Sequence, residues 1–210
     1  MQSFEVSLPH VGCSGWVYRH WREIFYPGNL PQKRWFEHYA GEFETVEINA
    51  SFYRLPLAST FDGWREKAPP GFRYAVKVHR FITHNKKLLD CAEPLGTFCD
   101  LARRLGQSLG PLLHQLPPNL RRNDQRLANY LALLPSDLEH VVEFRHSSWY
   151  DKEVLALLDQ NGVGFVAHDL AGLVSPVWRA AAPPTFVFTE QAANIGGAIR
   201  KLTWRAGPSG

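Results

Sequence analysis

Glu47, Lys77, Glu143 and Arg145 are the residues whose types and spacing point to chemistry. Each sits in a run with strand character: Thr45-Val-Glu-Ile-Asn49, Phe72-Arg-Tyr-Ala-Val-Lys-Val-His79 and His140-Val-Val-Glu-Phe-Arg145. Alternation along a strand puts Glu47 and Asn49 on one face and Val46 and Ile48 on the other. A carboxylate buried without a partner is strongly disfavoured, so Glu47 needs either water or a cation. A carboxylate beside a lysine works as an acid–base pair. A lysine inside a fold can alternatively form a Schiff base. Arg145 offers a planar fork for a carboxylate or phosphate.

The same parity groups Lys77 with His79 and Glu143 with Arg145, while Ser14, Gln115 and Asp169 stand at equivalent strand exits. His84 follows the strand that carries Lys77, and Trp16, Tyr53 and Trp149 are placed to wall a pocket. The expected assignment is therefore Glu47, Lys77 and Glu143 as catalytic groups. Ser14, Trp16, Asn49, Tyr53, His79, His84, Gln115, Arg145, Trp149 and Asp169 are assigned to the substrate. Glu47, Glu143, His79, His84, His168 and Asp169 also offer donors to a divalent ion. No His-x-His or His-Glu-x-x-His spacing supports a metal, however, and Lys77 and Arg145 already bring positive charge. His168 has the parity of the outward face and reads as a packed or capping histidine.

The elements that position these residues alternate. Strands are expected at 10–14, 44–49, 72–79, 111–116, 140–145 and 164–168. Helical spacing appears over 32–41 and 59–68, and around Phe98, Leu101, Ala102 and Leu105, then Leu127, Tyr130, Leu131 and Leu134, then Val154 to Leu158. Short connections between alternating strands and helices argue for a parallel sheet covered by helices. Polar groups at the end of nearly every strand favour a barrel over an open doubly wound sheet, which gathers ligand at one switch point. The expected fold is α/β, a TIM-type (β/α) barrel, C-terminally incomplete with about six to seven of the eight strands.

Composition narrows the class. The chain has 210 residues, 45% hydrophobic and 20% charged, which suits one ordinary globular domain. A net charge of +3 is too small to imply nucleic acid or an acidic membrane by itself. Seven Trp among 13% aromatics are read chiefly as core filling between sheet and helices. Cys13, Cys91 and Cys99 form no Cys-x-x-Cys, so neither a disulfide framework nor a zinc ribbon is signalled. The N-terminus, Met-Gln-Ser-Phe-Glu-Val, has no signal-peptide pattern, and no apolar run approaches a membrane span, so a cytoplasmic location is expected. Nucleotide-cofactor fingerprints and a Gly-x-Ser-x-Gly elbow are absent. Two functional classes follow. One is a hydrolase, lyase or isomerase using Glu/Lys acid–base chemistry on an anionic substrate, phosphorylated or nucleic-acid-derived. The other is a non-catalytic barrel that binds an anionic ligand or partner.

Gly12-Cys-Ser-Gly-Trp16, Val46-Glu-Ile-Asn49 with Ser51-Phe-Tyr-Arg54, Ala75-Val-Lys77, Thr83-His84, Gln115-Leu-Pro-Pro118 and Glu143-Phe-Arg-His146 with Ser148-Trp149 resemble the YecE-like family, also called domain of unknown function seventy-two. The resemblance runs from about residue 10 to Asp169. It implies a TIM-barrel-like fold and no assigned reaction.

After residue 186 the strand and helix pattern dissolves, so residues 1–186 are assigned to the barrel and 187–210 to a tail foreign to it. The family resembled continues at this point with a strand of the form Tyr-x-Arg-x-His-Gly, then glycines and tyrosines, then a helix. Reading residues 185–208 from the third base of each codon permits IRFHGAGGKYWGSYSEADLAGWA, which restores those features in order. A one-frame slip near the codons for residues 184–186 is the expectation, with a poorly soluble or inactive product.

Overall fold

A computed structural model describes residues 10–170, 173–176, 186–189 and 201–204 of the chain. Strand β1 (His10–Cys13) leads through an aromatic loop to helix α1 (Trp35–Glu42), then β2 (Thr45–Ile48) and the one-turn α2 (Ala50–Tyr53). Helix α3 (Ala58–Lys67), β3 (Arg73–Lys77), α4 (Ala92–Arg103) and β4 (Leu109–Gln115) follow. Next come α5 (Asp124–Leu131), β5 (His140–Glu143), α6 (Lys152–Gln160) and β6 (Gly164–Leu170). Short strands β7 (Leu173–Val174), β8 (Phe186–Thr189) and β9 (Lys201–Trp204) complete the order.

β1 to β6 pair in sequence order and all in parallel, forming a curled half-barrel. Helices α1 and α3 to α6 carry the crossovers that parallel pairing requires. α5 and α6 begin on side-chain caps: Asn123 accepts from the Arg126 N–H, and Asp151 from the Glu153 N–H.

The expected TIM-type (β/α) barrel is corrected here. A closed barrel of that type has eight parallel strands, whereas the six-stranded parallel sheet of this chain is open, with β1 and β6 not paired to each other. β8 runs parallel to β6, but β9 is antiparallel to both β8 and β1, and β7 folds back antiparallel on β6. Antiparallel neighbours need no helical crossover, so β7 and β9 do not extend the βα repeat. The class remains α/β. The expectation of a foreign tail at 187–210 falls largely outside the described residues.

The convex face of the sheet is packed with Val46, Ile48, Tyr74, Val76, Leu112 and Phe144, all buried against the helices. Phe36 of α1 lies parallel to Tyr74 at 5.8 Å and edge-on to Phe72 at 5.3 Å. Tyr26 stacks on Trp35 at 4.5 Å. Most of the large aromatics thus fill the layer between sheet and helices. Tyr39 pins β1 to β2: its hydroxyl accepts from the Cys13 N–H at 2.7 Å and donates to the Thr45 carbonyl at 2.8 Å. The strands are so close at Gly12 that a Cβ there would lie 2.0 Å from the Thr45 oxygen.

Candidate functional site

At the C-terminal ends of β1 to β5 the concave side opens into a cavity of about 760 Å³. Of the residues assigned from sequence, Ser14, Asn49, Tyr53, Lys77, His84, Gln115 and Arg145 line it. β2 and β3 pair Glu47 with Ala75, so Lys77 lies two residues further along on the same face and its side chain reaches back diagonally. Lys77 Nζ stands 3.7 Å from Glu47 Oε1, with Glu47 only 1% exposed beneath it. The Lys77 ammonium also sits 5.0 Å from the Phe52 ring centroid, within cation–π range. Glu47 Oε2 has no hydrogen-bond partner among the described residues.

A second charged pair lies across the floor. Gln115 and Glu143 are directly paired on β4 and β5, and Gln115 Nε2 donates to Glu143 Oε2 at 3.0 Å. The other carboxylate oxygen contacts Arg145 Nε. Glu143 is thus held from both sides and fixes the Arg145 side chain, which is 20% exposed at the cavity. On the β1 side, Asn49 Nδ2 donates to Ser14 Oγ at 2.6 Å, and the Tyr18 hydroxyl donates to the Ser14 carbonyl. Ser51 Oγ donates to the Lys77 carbonyl at 2.7 Å, locking the turn after β2 to the end of β3.

His84 sits on a single π-helical turn, Phe81–Asn85, after β3. Its Nδ1 is 2.9 Å from Thr83 Oγ1, and Phe52 meets its ring edge to face. Burial, and then Lys77, Arg80 and Arg145, hold the imidazole below the ordinary histidine range. A neutral His84 accepting the Thr83 hydroxyl proton at Nδ1 carries its own proton on Nε2.

Several assigned residues lie elsewhere. Trp149 is fully buried, stacked on Phe144 at 4.9 Å, with its indole N–H donating to the Leu120 carbonyl. It belongs to the core and does not line this cavity. Trp16 packs edge-on against Phe36 at 5.1 Å, outside the cavity lining. His79 faces a neighbouring cavity, its Nδ1 accepting from the Phe81 N–H. Asp169 is exposed, and its strand continues into the β7 pairing, away from the cavity lining. His168 is buried, with Nε2 near the Tyr150 hydroxyl and the Phe144 carbonyl. The donors considered for a metal do not converge: among the described residues no three of His, Cys, Asp or Glu come together in a way that would hold an ion.

Tyr18, His20, Phe52 and Arg80 line the cavity without having been assigned from sequence. Tyr18 and His20 come from an irregular loop without periodicity. Arg80 stands directly after His79 at a strand exit, which is the signal that could have found it.

Fold and site together define an α/β protein with a helix-covered, curled parallel sheet and a charged cavity at the strand C-termini. A family model described as "Protein of unknown function DUF72" matches residues 10–195, and the chain belongs to that family. The chain is 23% identical over 152 residues to UPF0759 protein YunF of Bacillus subtilis (strain 168), matching 67% of this chain and 52% of that protein. It thus spans about half the length of the curated relative it matches. Among solved structures, a DUF72 family protein from Thermotoga maritima MSB8 superposes with a TM-score of 0.74 at 27% identity, over 87% of this chain and 74% of that one. One from Enterococcus faecalis V583 superposes at 0.72 and 18% identity, over 89% and 72%, a likeness of fold alone.

Proposed function

We propose that this protein, as a YecE-like member of its family, is an enzyme that carries out acid–base chemistry on an anionic, phosphorylated or nucleic-acid-derived substrate held in the polar cavity. The observation that carries the reading is the buried Glu47 carboxylate behind a lysine that faces the cavity. Lys77 is the group positioned to touch substrate, as proton donor or acceptor, and Glu47 is its charge partner. Arg145, steadied by Glu143, and Arg80, which has no acidic partner among the described residues, supply the anion contacts. His84 offers an N–H donor from the same wall.

A second reading has its own observation. Lys77 and Arg145 are each matched by a carboxylate, and Glu47 itself does not line the cavity. That arrangement also suits a binding module that recognises an anion without transforming it. A screen of phosphorylated and nucleotide-derived metabolites with wild type and Glu47→Gln separates the two. Turnover lost in the variant with binding retained supports the enzyme. Binding by wild type with no turnover under any condition supports the module.

A further inference from the structure

We propose that the natural ligand is an amphiphilic anion, with its charged group in the polar cavity and an uncharged aliphatic or aromatic part in a second cavity beside it. The inference rests on the reading of the polar cavity as an anion site. The second cavity, about 450 Å³, opens next to the C-terminal end of β3, and Leu55, Phe81, Ile82 and Phe98 form its apolar walls.

Two short segments contribute to both cavities. In the turn after β2, Phe52 and Tyr53 line the polar cavity and Leu55 the apolar one. After β3, Arg80 and His84 line the polar cavity, while His79, Phe81 and Ile82 line the apolar one. The π turn accounts for the division. Its winding is closed by a bond from the Lys86 N–H to the Phe81 carbonyl at 2.9 Å, and it sends Phe81 and Ile82 to one side and His84 to the other. Such turns are rare and concentrate at functional positions.

Both cavities carry exposed apolar side chains in their linings. Tyr53 is 68% exposed, Phe81 43% and Leu55 37%. Exposed apolar side chains gain when something covers them. Charge then fixes the orientation of the cover. The polar cavity presents Lys77, Arg80 and Arg145. At the apolar cavity Asp90 and Glu93 outnumber Lys86, whose ammonium already lies over the Phe81 ring at 5.7 Å. His79 there is held below the ordinary histidine range by burial and by Arg80, and so counts as uncharged. A second anionic group is repelled from this cavity, whereas an uncharged chain or ring is accepted.

The test is a series of monoalkyl phosphates measured calorimetrically below their micellar concentrations: inorganic phosphate, then methyl, butyl and hexyl phosphate, with phenyl phosphate as the ring case. Affinity is expected to rise on the order of tenfold or more from methyl to hexyl, given the gain per buried methylene. In Phe81→Ser and Leu55→Ser, checked for folding by circular dichroism, the hexyl-to-methyl ratio should fall several-fold. In Arg80→Gln affinity should drop along the whole series with the ratio kept. A wild-type series that is flat while phosphate binds overturns the amphiphile and leaves the anion site standing. A gain that persists unchanged in both serine variants overturns it as well. Failure of every phosphate and of the matching carboxylates to bind overturns the anion reading, and the present inference with it.

Discussion

Lys77 reaches diagonally from β3 to Glu47 on β2, Nζ to Oε1 3.7 Å, and the two lie at different depths: Glu47 is 1% exposed, Lys77 8%. That asymmetry decides which partner can be lost. If Lys77 goes, the carboxylate is left buried without its cation; if Glu47 goes, the ammonium can turn into the cavity.

Lys77→Met is therefore expected to destabilise the protein by about 3 kcal/mol or more, and Glu47→Gln by clearly less. Glu47→Leu combined with Lys77→Met should recover most of the loss, because a buried ion pair replaced by apolar side chains is often neutral. Urea unfolding of Lys77→Met, Glu47→Leu and the double variant gives the coupling. Equal, additive losses would show that the pair is not coupled.

Anion binding should strengthen on acidification through His84. Its imidazole is neutral at pH 7 because burial and the cations Lys77, Arg80 and Arg145 disfavour the charged form. Protonation below the ordinary histidine range adds a further positive charge to the cavity. Sulfate, whose own charge is constant over this range, is the suitable probe. Its affinity should rise as the pH falls below the ordinary histidine range, and His84→Asn should flatten the profile. An unchanged slope in the variant would assign the pH dependence to another group.

A buried histidine chain should set the acid limit of the fold. His140 Nε2 donates to the Pro135 carbonyl at 3.0 Å, which leaves its Nδ1 to accept from His114 Nε2 at 3.0 Å. His114 Nδ1 then accepts the Tyr130 hydroxyl proton at 2.7 Å. Both rings are satisfied only when neutral, and burial, foremost, holds both below the ordinary histidine range. The unfolded chain then binds more protons than the folded one below about pH 6.5, so this stability is present above that pH and lost as the pH falls. Thermal melts between neutral and mildly acidic pH should show the decline. Tyr130→Phe should lower stability by about 1 to 3 kcal/mol at neutral pH by leaving His114 Nδ1 without a donor.

A one-frame slip ahead of 187–210 remains a proposal, since residues 190–200 and 205–210 lie outside the described residues. Sequencing the locus across the codons for residues 184–186 checks it directly. An intact frame, together with a protease-resistant stretch from 187 onward, would overturn it.

Much of the site is legible in the amino-acid sequence alone. A charged residue inside a β-branched run is locally costly, and strand alternation assigns it a face without reference to the rest of the chain. That is why Glu47, Lys77, Glu143 and Arg145 stand out, and why water or a cation is expected beside Glu47. The helical spacing of Leu127, Tyr130 and Leu131 is equally local, and these residues are buried in α5. Only the tertiary structure decided what depends on how distant segments meet. The arc from β6 back towards β1 involves antiparallel β8 and β9, and no local pattern encodes the pairing between the two ends of a chain. Trp149 and Trp16 have similar sequence surroundings, as aromatics near a polar loop. Tertiary packing put the first against Phe144 beneath the Leu120 carbonyl and the second against Phe36 of α1. His114 and His140, far apart in sequence, became one hydrogen-bonded chain because β4 and β5 are neighbours. Face and period are properties of a few consecutive residues, whereas partner and depth are properties of the packed whole.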